Sequence, residues 1–119
     1  MATQWFLSEL IFRIHDPSGK ALNKFIKQLR LVSAETEKEA YQLALVRASQ
    51  ELDKLNNPPY KDMIWEFAGI GFIKNTDDQE EKTTEHLFDT IEEYPDAGAY
   101  MNQLRMRNEV IQMQIALTA

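Results

Sequence analysis

Three charged residues fall within segments rich in strand-forming residues, and their types and spacing suggest a small polar site. Alternation along the strands places Glu9, Arg30 and Glu66 on a sheet face away from the apolar core. Two carboxylates beside a guanidinium can bind a cationic or carboxylate ligand, or raise the pKa of one glutamate for acid–base chemistry. Trp5 or Trp65 would form an apolar wall of such a site. The simpler interpretation, cross-strand ion pairs, is favoured because no nucleophile or metal ligand accompanies them.

Other residue types that carry out catalysis are scarce. The chain has no cysteine, which excludes disulfides, thiolate zinc sites and cysteine nucleophiles. The two histidines, His15 and His86, are interpreted as surface residues because a zinc site needs three or four ligands. Gly69 and Gly71 lie inside a strand pattern that no helix follows, which argues against a phosphate-binding loop. We therefore predict no catalytic residue, no metal site and no cofactor, and favour a protein that is not an enzyme.

Two strands and a turn open the chain. Trp5–Ile14 is rich in aromatic and β-branched residues, and Lys24–Val32 follows with a mixed alternation, so we expect an antiparallel hairpin. Between them Asp16–Gly19 contains proline and glycine, which favour a turn. The better core face of the first strand consists of Phe6, Leu10, Phe12 and Ile14.

A helix is expected next, because Thr36 and Glu39 have the spacing of a capping box. Apolar residues then recur at intervals of three and four, and Asn56–Pro59 ends the pattern because proline lacks an amide hydrogen. The predicted buried stripe consists of Tyr41, Ala44, Leu45, Ala48, Leu52 and Leu55.

Two further strands and a second helix complete the pattern. Asp62–Ile73 is rich in strand-forming residues, and the more polar His86–Tyr94 is expected to pair back with it. Pro95 then predicts the start of a helix, with Asp96 in its first turn. One face of that helix carries Tyr100, Leu104, Ile111 and Ile115, and a second apolar stripe consists of Met106, Val110, Met113 and Leu117.

The element order ββαββα predicts an α+β fold, with a four-stranded, mainly antiparallel sheet and both helices packed on one face. All 119 residues fit one domain, and 44% of them are apolar, enough for a core without disulfides or a structural metal. No segment has the features of a signal peptide or a membrane span, so we expect a cytoplasmic protein that is not bound to a membrane.

Several short blocks of sequence, read together, resemble a known family. They are Trp5-Phe6, Phe12-Arg13-Ile14, Gln28-Leu29-Arg30-Leu31-Val32 leading into Ala34, Glu39-Ala40, and Trp65-Glu66-Phe67 with Gly69-Ile70. In these blocks the chain resembles the bacterial domain of unknown function, family 4288, over most of its length. The resemblance implies a bacterial origin, and it brings no activity or catalytic residue that transfers to this chain.

Charge is unevenly distributed along the sequence. The net charge is −6, which argues against a nucleic-acid partner because phosphate binding requires an excess of cations. Lys74–Asp96 alone carries a net charge of −7, from nine acidic residues and two lysines. The favoured interpretation is a solvated, charged edge strand. The alternative is an inhibitor or immunity-type protein that docks a basic protein partner through acidic residues such as Asp77, Asp78, Glu80 and Glu81.

More apolar surface is predicted than one sheet and two helices can bury. The second stripe of the last helix and the strand residues Trp5, Leu7 and Ile11 lie away from the expected core. Contiguous exposed apolar surface is typical of an interface, so the favoured function is a non-catalytic interaction module that forms a homodimer. The alternatives are a small-ligand-binding or catalytic domain at Glu9, Arg30 and Glu66, and the acidic inhibitor.

Overall fold

Four strands and two helices follow one another in the predicted order. In the computed structural model, which describes residues 3–56, 63–76 and 86–118, the strands are β1 (Gln4–His15), β2 (Ala21–Ala34), β3 (Ile64–Thr76) and β4 (His86–Glu93). The helices are α1 (Glu37–Leu55) and α2 (Ala97–Thr118). The strands form one sheet in the order β3-β1-β2-β4, and each pairing is antiparallel. The α+β fold is therefore confirmed.

The fourth strand takes a different neighbour from the one that the sequence predicted. β4 pairs with β2, so β3 and β4 form the opposite edges of the sheet. β2 and β3 flank β1 on its two sides, and α1 is the connection between them. The apolar alternation of a strand specifies which face it buries but not which strand lies beside it, so this pairing lay beyond the local pattern.

The turn between β1 and β2 is built around one aspartate. An Asp16 carboxylate oxygen accepts hydrogen bonds from the amides of Ser18, at 3.0 Å, and Lys20, at 2.9 Å. Gly19 has a φ of 90°, in the left-handed region that glycine adopts without strain. The turn predicted from proline and glycine is therefore confirmed, and it fixes the register of the hairpin.

α1 begins where the capping residue predicts. The Thr36 hydroxyl accepts a hydrogen bond from the Glu39 amide at 3.1 Å. Small residues at intervals of four, Ala40, Ala44 and Ala48, are the buried ones and bring the helix close to the sheet. The prediction that Leu45 belongs to the buried stripe is wrong. Its side chain is 38% exposed, because it lies about 100° around the helix from Ala44, away from the sheet.

Apolar clusters lie on both faces of the sheet. We call the face that carries Leu10 and Phe12 the α1 face; its cluster joins these residues to α1 and to the second half of α2, at Ile111 and Ile115. The other face, which we call the far face, carries Ile11 and Phe25, packed against the first half of α2 at Ala97, Tyr100 and Leu104. The prediction that both helices pack on one face is therefore wrong for α2, which covers part of each.

α2 passes the outer edge of β3 at Asn108, midway along the helix. The Asn108 side chain accepts a hydrogen bond from the Ile70 amide at 3.2 Å and donates to the Ile70 carbonyl at 3.1 Å. Gly69 has a φ of 151°, and a Cβ there would lie 2.8 Å from the Asn108 amide nitrogen. Glycine is required at this position because the helix and the strand edge approach so closely.

A second asparagine binds the same edge in the same way. Asn56, which follows α1, accepts a hydrogen bond from the Trp65 amide at 2.9 Å and donates to the Trp65 carbonyl at 3.1 Å. Together the two side chains satisfy backbone groups that an edge strand otherwise offers to another chain.

The start of α2 also differs from its prediction. The Asp96 side chain accepts a hydrogen bond from the Ala99 amide at 2.9 Å, so Asp96 caps the helix and precedes its first turn.

Candidate functional site

The predicted cluster of Glu9, Arg30 and Glu66 does not form. Ser8 lies opposite Arg30 and Glu9 lies opposite Leu29, so Arg30 belongs to the α1 face and Glu9 to the far face. Glu66 lies opposite Arg13, four residues along β1 from Glu9, which is about 13 Å. The three side chains therefore share no site, and the ligand-binding interpretation that required them to meet loses its basis.

Arg30 is a buried residue that joins three elements. It is 1% exposed, and its Nε lies 3.7 Å from a Glu51 carboxylate oxygen on α1. Its Nη1 lies 3.1 Å from an Asp89 oxygen on β4. The same Glu51 oxygen lies 3.6 Å from Arg47. The Arg30–Glu51 contact joins β2 to α1. Because separating α1 from the sheet would leave both charges without this partner, the contact holds α1 against the sheet.

The remaining predicted binding residues lie apart from one another. The Glu66 carboxylate lies 3.5 Å from His15, at an exposed position. Trp65 packs against the cluster of the α1 face. Trp5 is partly buried and lines a cavity of about 310 Å³ with residues of α1 that include Leu43. Neither tryptophan therefore forms a wall beside Glu9.

A cluster of polar and aromatic residues that the sequence analysis did not identify lies on the far face. The Lys27 ammonium donates to a Glu92 oxygen and to the Tyr94 hydroxyl, each at 2.5 Å. Tyr94 also donates to Glu92 at 2.8 Å, and its ring stacks on that of Tyr100 with centroids 3.8 Å apart. Lys27 comes from β2, Glu92 from β4, Tyr94 from the segment just after β4, and Tyr100 from α2, so the pairing of β4 with β2 is what brings them together.

Electrostatics keep Lys27 and Glu92 of this cluster ionised. Burial opposes the positive charge of Lys27, but hydrogen bonds to Glu92 and Tyr94 outweigh it and raise the pKa of the ammonium above its ordinary value. The hydrogen bond from Lys27 lowers the pKa of the Glu92 carboxyl. Burial raises the pKa of Tyr100 to about 12. An ammonium that stays protonated is a poor nucleophile or base, so Lys27 acts here as a fixed positive charge that joins β2 to β4.

Glu9 lies on the same face in a less polar setting. Its cross-strand neighbours are Leu29 and Phe72, and its carboxylate lies over Gly71, where a Cβ would overlap it. Burial raises the pKa of the Glu9 carboxyl, and the nearby charges of Lys27 and Arg107 lower it less. A side chain at position 71 would displace the Glu9 carboxylate, so glycine there leaves room for this partly buried group.

The second apolar stripe of α2 is exposed to solvent. The exposed fractions are 61% for Met106, 51% for Val110, 64% for Met113 and 83% for Leu117. These side chains lie roughly opposite Leu104, Ile111 and Ile115, which pack on the sheet. The strand residues predicted to join this surface are less exposed than the stripe. Ile11 is fully buried under α2, so the prediction that it lies at an interface is wrong. Trp5 and Leu7 are partly buried.

A cavity of about 360 Å³ lies beside the stripe, between α2 and β3. Phe72 and Ile73 contribute its β3 side, and Met106 and Val110 of the stripe contribute its α2 side. Arg107 also lines it and carries a positive charge. The arrangement provides an apolar recess next to an exposed apolar ridge.

Three further expectations from the sequence concern an acidic segment, metal ligands and membrane-spanning helices. The acidic residues Asp77, Asp78, Glu80 and Glu81 lie outside the described residues, and a basic partner there stays a prediction. Within the described ranges, no three His, Cys, Asp or Glu side chains are grouped as metal ligands. Neither α1 nor α2 combines the length and apolar character that a bilayer-spanning helix requires.

Comparison with known proteins places most of the chain in a family without assigning it an activity. A family model described as a domain of unknown function, DUF4288, matches residues 5–87. The matched range runs from β1 into the start of β4, so α2 and its exposed stripe lie beyond it. No curated protein and no solved structure matches the chain.

Proposed function

The chain belongs to the DUF4288 family, and we propose that it is a protein-interaction module that pairs with a second copy of itself through α2. One observation carries this proposal: α2 is apolar on two opposite sides. One side packs on the sheet at Leu104, Ile111 and Ile115, and the other side is the exposed stripe of Met106, Val110, Met113 and Leu117. A surface helix of a monomer normally turns a polar side to water, so a second apolar side is typical of a contact surface.

The uniformly apolar character of the stripe favours a second copy as the partner. Its members follow one another at intervals of four, three and four residues, so they form one continuous apolar strip along the helix. A two-fold symmetric contact brings one patch against itself, and a patch whose members are all apolar is complementary to its own copy. The cavity beside Met106 and Val110 adds an apolar recess for a partner's side chain.

The polar groups of the interior support a role that does not involve catalysis. Lys27 is bound by Glu92 and Tyr94, and Arg30 is bound by Glu51 and Asp89. Each of these groups has a structural partner that accounts for its charge. The exposed apolar surface is the feature that the fold itself does not account for.

Sedimentation equilibrium of the full chain at tens of micromolar tests the proposal, since interfaces of standard size hold at such concentrations. We expect the wild type to have the mass of a dimer, and the variant Val110→Glu/Met113→Glu that of a monomer with an unchanged circular dichroism spectrum. Val46→Glu is the matched control, because Val46 is 55% exposed on α1 and should leave the dimer intact. A wild-type monomer, or equal dissociation by the control, would refute the proposal.

A further inference from the structure

We propose that the outer edge of β3, next to α2, binds an extended peptide segment in which apolar and acidic residues alternate. The segment would add a fifth strand to the sheet, with its apolar side chains in the recess between β3 and α2 and its acidic side chains beside Arg107 and Lys74. The site lies on the β3 side of α2, so the inference goes beyond the proposed self-association and does not rest on it.

The backbone of β3 directs hydrogen-bonding groups away from the sheet at Ile73 and Asn75. Asn108 binds both the N–H and the C=O of Ile70, so Ile70 directs these groups to the outer edge. Ile70 lies opposite Leu10, and Ile73 and Asn75 lie opposite the β1 residues two and four positions before Leu10. Because the backbone groups along a strand alternate between its two edges, Ile73 and Asn75 direct theirs to the outer edge as well.

The outer edge of β3 is closed in its first part and open in its second. Asparagine side chains bind the outward backbone groups at Trp65 and at Ile70. Among the residues that the structure describes, none makes a hydrogen bond to the outward groups of Ile73 or Asn75, and the strand neighbour of β3 is β1. Unpaired groups on an edge strand are a template for a further strand.

The recess of about 360 Å³ lies beside this open part of the edge. Phe72 and Ile73 line its β3 side, and Val110 and Ile111 line its α2 side. Peptides that add a strand to a sheet gain affinity from backbone hydrogen bonds and specificity from pockets that take alternate side chains. The recess can take the apolar side chains of such a strand. We call the open edge at residues 73–75, together with this recess, the β3 groove.

Positive charge exceeds negative charge along the β3 groove. Arg107 is exposed and lines the recess, and Lys74 is exposed on the far face of β3. The neighbouring charges of α2, Arg105 and Glu109, lie about 160° around the helix from Arg107 and so face away from the groove. The Glu9 carboxylate lies close by, and the two cations exceed it by one charge. The groove therefore complements a strand that carries acidic side chains.

Isothermal titration calorimetry with synthetic peptides tests the inference on the unmodified protein. We expect a short peptide of alternating valine and glutamate to bind at one site per chain, and its counterpart of alternating valine and lysine to bind at least about tenfold more weakly. A valine–glutamate peptide with methylated backbone nitrogens keeps its side chains but cannot donate hydrogen bonds to β3. We expect it to lose binding, because strand addition depends on those bonds.

Variants of the chain locate the site. We expect Lys74→Glu/Arg107→Glu to weaken binding of the valine–glutamate peptide about tenfold at low salt, and less at high salt. Lys20→Glu/Arg105→Glu is the matched control, because it changes the net charge equally at exposed positions outside the groove and should leave the affinity unchanged. Circular dichroism checks that both variants fold.

A further variant separates this inference from the proposed function. Met113 and Leu117 belong to the stripe but do not line the recess, so Met113→Glu/Leu117→Glu should abolish the dimer and still bind the peptide. Absence of peptide binding to the wild type, equal binding of the valine–lysine or methylated peptide, or equal losses in the two charge variants would overturn the inference. None of these results bears on self-association, which sedimentation decides.

Discussion

Glu9 is a carboxyl group held partly out of water by the far face of the sheet, and burial raises its pKa. The pKa of Glu9 is therefore higher in the folded state than in the unfolded state. The contribution of Glu9 to stability is greatest below its unfolded-state pKa, and it is lost as the pH rises through its folded-state pKa. We expect Glu9→Gln, which mimics the protonated group, to raise the Tm at pH 7. The gain should vanish in acid, below the ordinary pKa of glutamate.

Thermal unfolding measured from pH 3 to pH 8 checks this expectation. Glu35→Gln is the control, because Glu35 is exposed and its replacement should leave the pH dependence unchanged. A Glu9→Gln protein whose Tm at pH 7 equals or falls below that of the wild type would contradict the assignment.

Arg30 is a buried charge that pairs with carboxylates on two other elements. We expect Arg30→Met to lower the free energy of unfolding by about 3 kcal/mol, because the largely buried Glu51 carboxylate loses the cation that pairs with it. Arg47→Met, which removes a more exposed contact to the same carboxylate, should cost under about 1 kcal/mol. Urea denaturation measures both changes.

A double variant separates lost charge pairing from lost packing. Arg30→Met/Glu51→Met removes both charges, so it should be less destabilised than the two single changes added together. Strict additivity would show that the two groups do not interact.

The burial of Arg30 was not predictable from the alternation of apolar residues. Alternation assigns faces within one strand, and it placed Glu9 away from the better core face. The relative phase of two strands depends on the turn and on the irregularity between Arg13 and His15, which the pattern of apolar residues does not encode. The alternation therefore predicts an open face for Arg30, whereas the structure buries its side chain against α1.

Among the elements, the edge of β3 depends most on single side chains. We expect Asn108→Ala to lower the free energy of unfolding by about 2 kcal/mol, because two backbone groups of Ile70 lose their partner. Asn102→Ala, at an exposed position on the same helix, is the matched control and should change stability by less than about 0.5 kcal/mol. Chemical denaturation gives the values, and equal losses in the two variants would contradict the role of Asn108.

The elements themselves were largely predictable because their signals are local. The cap at Thr36, the turn at Asp16–Gly19 and the strand-forming segments each depend on a few neighbouring residues. Strand order is not local: nothing within His86–Tyr94 distinguishes β2 from β3 as its neighbour. The passage of α2 around the sheet edge is also non-local, since it depends on the close approach of Asn108 to Gly69.

At the scale of the whole molecule, self-association links stability to concentration. If the folded chain pairs and the unfolded chain does not, mass action raises the Tm as protein concentration rises. We expect the Tm of the wild type to increase between 2 and 200 μM, on the order of a few degrees. Val110→Glu/Met113→Glu should unfold at the same temperature throughout that range, as differential scanning fluorimetry can show. A wild-type Tm that is independent of concentration would contradict pairing.

The position of α2 along the chain also affects how the protein is made. Ribosomes add roughly 5–20 residues per second, so the 22 residues of α2 take about 1 to 4 seconds to synthesise after all four strands exist. During that interval Ile11 and Phe25 are uncovered on one side of the sheet, and the cluster on the other side is incomplete. The nascent chain therefore cannot complete either cluster until α2 has been synthesised.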